Sequence, residues 1–318
     1  MHLFPKTHFD FLKMRWTFFI FSGLLLGACL VSIFTRGVKY GIDFTGGTLV
    51  QVTYEKPIKP ADVRAAIEKA GVHHEALQHF TDTNTFQIRI QADPNRSAEL
   101  LEKELTDMQA ATPDNHFRVD SKEYVGPSVG QHLFKQALLA LVLSLAGIII
   151  YLAFRFSNPV WGVAGIVALL HDVLATYGLF SLLGLEVDLL IISAILTIGG
   201  YSIHDTIVIF DRMREKSRHM HREPLYRIMN ESMNETLSRT VITSLTVFVV
   251  VAILFFFGGA TIHWFAFAMV FGCLVGTYSS IAVAVPLVYE WSERGKTKRP
   301  EQQPPSKGPA SKPKPIKK

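Results

Sequence analysis

The chain has 318 residues, is 49% hydrophobic and has a mean hydropathy of +0.25. That composition excludes an ordinary soluble globule and points to several membrane spans. The formal net charge of +5 comes largely from the tail GKTKRPEQQPPSKGPASKPKPIKK, so it carries no argument for nucleic-acid binding.

Residues 1–15 read as a cytoplasmic N-terminus and 16–36 as the first span. Lys6, Lys13 and Arg15 precede that apolar run. It is longer than a signal-peptide core and no small-residue cleavage motif closes it, so it reads as a retained anchor.

Residues 37–131 read as one extracytoplasmic domain. GGTLVQVTYE alternates like a strand, and Pro60 to Ala70 places Val63, Ile67 and Ala70 on one helical face. ALQHFTDTNTFQIRIQ reads as two strands around a turn at Asp82–Asn84. Ser97 to Met108 reads as a Ser-capped helix and HFRVDSKEYVG as a last strand. The order β-α-β-β-α-β is that of a ferredoxin-like α+β unit. His73, His74, His79 and His116 are scattered through it and predict no metal site. GIDFTGGT at 41–48 holds Asp43, Gly46 and Gly47 just before the first long strand. It reads as a structural turn, since a phosphate loop needs a strand before it and a helix after it.

Residues 132–291 read as five further spans, within about 132–154, 160–183, 188–210, 238–258 and 264–289. Lys and Arg gather before the first span, between spans two and three, and between spans four and five. The positive-inside rule then places both termini in the cytoplasm. Cys29 and Cys273 fall inside spans and read as packing residues. GCLVG at 272–276 suits close helix packing. Residues 292–318 are rich in Lys, Pro and Ser and read as a disordered basic tail, either solvated or tethered to anionic lipid. The whole is a polytopic α-helical membrane protein with six transmembrane helices and a ferredoxin-like extracytoplasmic domain.

The spans hold ionisable residues, and a charged residue at mid-membrane costs about 2.5–3.5 kcal/mol on insertion scales. In span four, Ser193, Thr197, Gly200, Tyr201 and His204 recur at helical spacing, with Asp205 at the edge of the stripe. In span five, Thr236, Arg239, Thr240, Thr243 and Thr246 share a face. Counting from the cytoplasmic ends puts Asp205 and Arg239 at similar depth. A neighbouring Arg favours a charged carboxylate and desolvation a neutral one, which is the basis of a proton-coupled switch. The alternative is a permanent structural pair. Span three carries His171–Asp172, either as a structural network with spans two and four or as a relay.

Five segments carry a resemblance: GIDFTGGT at 41–48, VGPSVGQHL at 125–133, ALLHDVLATYGLFSLLGLEVD at 168–188, GGYSIHDTIVIFDRMRE at 199–215 and NETLSRTVITSLT at 234–246. In this order the chain resembles the SecF family of bacterial SecDF protein-export subunits, within the resistance–nodulation–division superfamily. The resemblance implies a multi-pass protein of the bacterial inner membrane. Its partners would be SecD, YajC, the SecYEG channel, the translocating preprotein and membrane lipids, with no cofactor and no enzymatic activity. Its work would be to use the proton-motive force in late preprotein translocation. The family's fourth-span carboxylate falls on Asp205 and its fifth-span arginine on Arg239. Two alternatives stay open: half of a proton-driven small-molecule or lipid exporter, and a passive translocon scaffold.

The chain departs from the family in carrying His204 where Asn usually precedes the aspartate. Two adjacent titratable groups titrate as a pair. The pH profile of gradient-driven export is therefore expected to differ between the native chain and His204→Asn, and coincident profiles would sink that coupling.

Overall fold

The computed structural model describes residues 8–72, 74–80, 84–90, 98–156, 158–219 and 223–297. In chain order the elements are α1 (Arg15–Arg36), β1 (Lys39–Tyr40), α2 (Ile42–Thr45), β2 (Gly47–Tyr54), α3 (Pro60–Lys69), β3 (His74–Phe80), β4 (Thr85–Ile90), α4 (Ala98–Ala111) and β5 (Phe117–Val125). There follow α5 (Pro127–Arg155), α6 (Pro159–Leu183), β6 (Glu186–Val187), α7 (Leu189–His219), α8 (Leu225–Phe257) and α9 (Gly259–Ser279). A π-helical segment (Ser280–Ala284) then leads into α10 (Val285–Thr297). Among the described residues, six helices are long and apolar enough to cross a membrane, the last running from α9 into α10.

The domain is a four-stranded antiparallel sheet of order β3-β4-β2-β5, the ferredoxin-like arrangement. Alternation decides its inner face. Val50, Val52 and Tyr54 of β2 join Phe86, Ile88 and Ile90 of β4. Helix α3 covers them with Val63, Ala66 and Ile67, and α4 with Leu105 and Met108. Each such side chain contributes about 1.5–3 kcal/mol on full burial. The expected turn at Asp82–Asn84 and the Ser97 cap involve residues outside the described ones, apart from Asn84, whose φ is +49°.

Several helix ends differ from the sequence expectation. Span two begins at Pro127 rather than 132, because Pro fits the first helical position, where no N–H is required. Spans four and five run past 210 and begin before 238 as a charged hairpin. Lys216 pairs with Glu231 and Glu235, each at 2.8 Å, Arg212 with Glu235 at 2.6 Å, and Arg155 with Asp211. The disorder expected from 292 is corrected for 292–297, which continue α10. That helix is held to the start of α1 by Arg15–Glu290 at 2.7 Å. Residues 298–318 lie outside the described ones.

GIDFTGGT is more than a turn. It joins the domain to the start of α7. β1 pairs in parallel with β6, and Gly41 N–H donates to Val187 O at 2.9 Å. The one-turn helix α2 places Asp43 so that its Oδ2 accepts from Leu189 N–H at 3.0 Å, capping α7. Asp188 Oδ1 accepts from Ile191 N–H at 2.8 Å on the same turn. From the sheet, Arg89 donates to Tyr40 O and Thr45 Oγ1, each at 2.8 Å, and pairs with Glu186 at 3.1 Å. Gly46 needs its lack of side chain twice: its φ is +77°, and a Cβ would lie 3.0 Å from Pro127 Cα.

Burial, with Asp43 close by, pushes the Asp188 carboxyl up to about 6. A carboxyl raised on folding stabilises the fold as pH drops through that value, because the folded state then binds the extra proton. The thermal-unfolding midpoint is therefore expected to rise from neutral pH toward about pH 5. In Asp188→Asn the midpoint should already be higher at neutral pH, by the equivalent of roughly 3 kcal/mol, with the slope flattened. An unchanged slope in the variant would refute this assignment.

Candidate functional site

Helix α7 positions the central carboxylate. At about 100° per residue, Ser193, Thr197, Gly200 and His204 fall on one side, and all four are exposed on the isolated chain. Tyr201 is half-buried and Asp205 is buried, at 3% exposure. Asp205 thus sits where the stripe turns inward between α7 and α8.

Two hydroxyls of α8 meet it. Ser244 Oγ lies 3.3 Å from Asp205 Oδ2 and Thr243 Oγ1 lies 3.5 Å from Oδ1, both long contacts. Ser244 Oγ in turn accepts from Thr277 Oγ1 of α9 at 2.7 Å. Cys273 Sγ lies 3.5 Å from both Tyr201 Oη and Ser244 O. The carboxylate therefore stands at a three-helix junction of small hydroxyl and thiol groups. No cluster of three His, Cys, Asp or Glu able to hold a metal ion occurs among the described residues.

Arg239 is placed differently from a direct partner. It lies on the exposed face of α8, one turn before Thr243. The groups that bond the Asp205 carboxylate among the described residues are hydroxyls. Thr240 is buried beside this site, and its hydroxyl has no hydrogen-bond partner among the described residues. Thr243 divides its hydroxyl between Asp205 and its own helix, with Arg239 O and Thr240 O each at 3.0 Å.

The hydroxyls nearer the domain make no chain toward Asp205. Ser193 donates to Leu189 O and Thr197 to Ser193 O, each at 2.8 Å, so both are bonded within their own helix. The His171–Asp172 pair lies apart from Asp205, buried in the bundle. Its partners are on α7 and α9, so the expected link to span two is not among the bonds observed. Asp43 and Gly46 belong to the joint described above, and Gly47 begins β2 with a φ of +135°.

Sequence reading alone did not pick out Ser244, Thr277 or Cys273 around Asp205. The available signal was weak: Ser244 stands next to a threonine stripe, and Thr277 follows GCLVG by one residue. Their convergence needs the crossing of three helices that are far apart in sequence.

A family model described as "Protein export membrane protein SecD/SecF, C-terminal" matches residues 104–294. One described as "SecD/SecF GG Motif" matches residues 31–58, the segment that forms the joint. The protein translocase subunit SecF of Endomicrobium trichonymphae is 40% identical over 292 residues, covering 92% of this chain and 94% of that protein. The protein of the same name from Escherichia coli O157:H7 is 38% identical over 284 residues, covering 88% of this chain and 86% of that one. The crystal structure of SecDF from Thermus thermophilus, described as a translocon-associated membrane protein, is 36% identical and superposes with a TM-score of 0.82. The match covers 91% of this chain but only 39% of that longer one. This chain therefore belongs to the SecD/SecF family of protein-export membrane proteins.

Proposed function

We propose that this chain is the smaller subunit of a SecDF-type accessory complex of the Sec translocase, and that it uses the proton-motive force to promote late preprotein translocation. One observation carries the reading beyond family membership. The isolated bundle turns the ionisable side chains of His204 and Arg239 outward from its span-length helices, beside Ser193, Thr197 and Thr246, whose hydroxyls bond back to their own helices. Polar and ionisable groups in a span face protein or water, because lipid offers them no partner. This face is therefore built to be covered by another membrane protein, which a SecD-type half supplies.

Asp205 stands at the inner edge of that face, where its partners among the described residues are neutral hydroxyls at long contact distance. A carboxylate held this loosely can exchange a proton when the covering surface or Arg239 shifts. In the proposed orientation, the basic hairpin between α7 and α8 and both termini lie in the cytoplasm. The domain then lies outside, where an emerging preprotein arrives. SecYEG and YajC are the further partners of this reading. Family membership favours it over a small-molecule exporter.

The test is preprotein translocation in inverted vesicles, with and without an imposed proton gradient, comparing the native complex with Asp205→Asn. The variant is expected to assemble with its partner and to lose the gradient-dependent part of translocation, while the part driven by ATP persists. Unchanged gradient-dependent translocation would make the chain a passive scaffold.

A further inference from the structure

A second carboxylate lies deeper in the bundle than Asp205 and has no part in the mechanism above. Asp172, in the middle of α6, is fully buried. Its Oδ2 accepts from Ser202 Oγ of α7 and from Ser279 Oγ of α9, the latter at 2.7 Å. Its Oδ1 lies 2.9 Å from Nδ1 of His171, which is also buried. One carboxylate thus ties together three helices.

The surrounding packing is tight along the same line. Gly276 faces Ser202, where a Cβ would lie 2.9 Å from the serine Cβ, and a side chain at Gly272 would overlap Ile198. One turn further on, Thr206 Oγ1 and Ser280 Oγ are 2.8 Å apart, and Ser280 opens the π-helical segment. Single π-helical turns inside α-helices often mark functional positions. Ile198, Ser202 and Thr206 are four residues apart, so α7 is held along one line by α6, α9 and the π segment.

Ser202 precedes Asp205 by three residues. On a helix that is about 4.5 Å along the axis and about 60° around it. A rotation of α7 that released Ser202 from Asp172 would also swing Asp205 away from Ser244 and Thr243. The two carboxylates are therefore connected through the rotation of one helix.

We infer that Asp172 is a positioning residue for the proton-coupling site: with Ser202 and Ser279 it fixes the rotation of α7 that presents Asp205 to α8. The inference rests on the reading of Asp205 given above. It assigns Asp172 no proton transfer of its own.

The experiment compares Asp172→Ala with Asp172→Asn in the assembled complex, read as gradient-dependent translocation in inverted vesicles. Asparagine keeps the clasp. Its amide oxygen can take the place of Oδ2 and accept from both Ser202 and Ser279, while its NH2 group donates to Nδ1 of His171. Asp172→Ala is expected to lower the gradient-dependent rate about tenfold, and Asp172→Asn to stay within about twofold of native, as hydrogen-bond loss and conservation imply. Equal loss in both variants would overturn the inference and make Asp172 a proton carrier. Full activity in Asp172→Ala would overturn it as well.

If Asp172→Ala fails to assemble, the double variant Ser202→Ala/Ser279→Ala removes the two hydroxyl donors and leaves the carboxylate in place. It is expected to show the same loss as alanine at 172, and native activity would overturn the inference. Asp205→Asn run in parallel separates the two readings. If it costs nothing, the coupling site itself is wrong. If it abolishes the gradient effect while Asp172→Ala does not, only the positioning role falls.

Discussion

A carboxylate in hydrocarbon is tolerated only when protein groups replace the water it has lost, and the packing of this bundle depends on meeting that demand twice. Asp172 is met by serines of α7 and α9 and by its neighbour His171. Asp205 is met by hydroxyls of α8, one of which is held by Thr277 of α9. Short side chains reach such a carboxylate only if the helices come very close. That is why glycines occupy 272 and 276 where α9 crosses α7. The unequal quality of the two sites matters. Asp172 is bonded closely and buried, whereas the contacts of Asp205 among the described residues are long and it lies beside an open polar face. The first is suited to hold geometry and the second to change state.

Helix α7 is the element through which the rest communicates. Its first turn is capped by Asp43 from the glycine-rich segment, which Arg89 fastens to the sheet of the domain. Its middle carries Ser202 and Asp205, and its end forms the charged hairpin with α8. A displacement of the domain thus bears on the helix that carries the coupling residue, over a joint made of backbone pairing and charge-assisted hydrogen bonds. A second point of support lies at the edge of the sheet, where the Phe80 ring meets His263 and Trp264 at the start of α9.

Much of the architecture was legible from the chain itself. Period-two alternation in 47–54 and 85–90 marks strands, and apolar runs of span length mark the six helices, because these patterns are local. The polar stripe of α7 was legible for the same reason: residues at i, i+3 and i+4 share a face whatever surrounds them. Helix ends were less legible. Residues 211–219 and 225–235 are helical because their charges pair across two helices, which no single-segment reading of hydropathy can register.

The sequence by itself determined the class of molecule, the order of its strands and spans, and the cost carried by Asp172, Asp205 and Arg239, since each follows from composition and periodicity. Only the tertiary structure decided which groups meet that cost. Asp205 is bonded by Ser244 and Thr243 rather than by the Arg239 guanidinium. Asp172 binds spans four and six rather than span two, and Asp43 caps a helix that begins 146 residues later. Such partners are fixed by helix crossings, and a crossing depends on the close fit of two distant surfaces, which neither surface encodes alone.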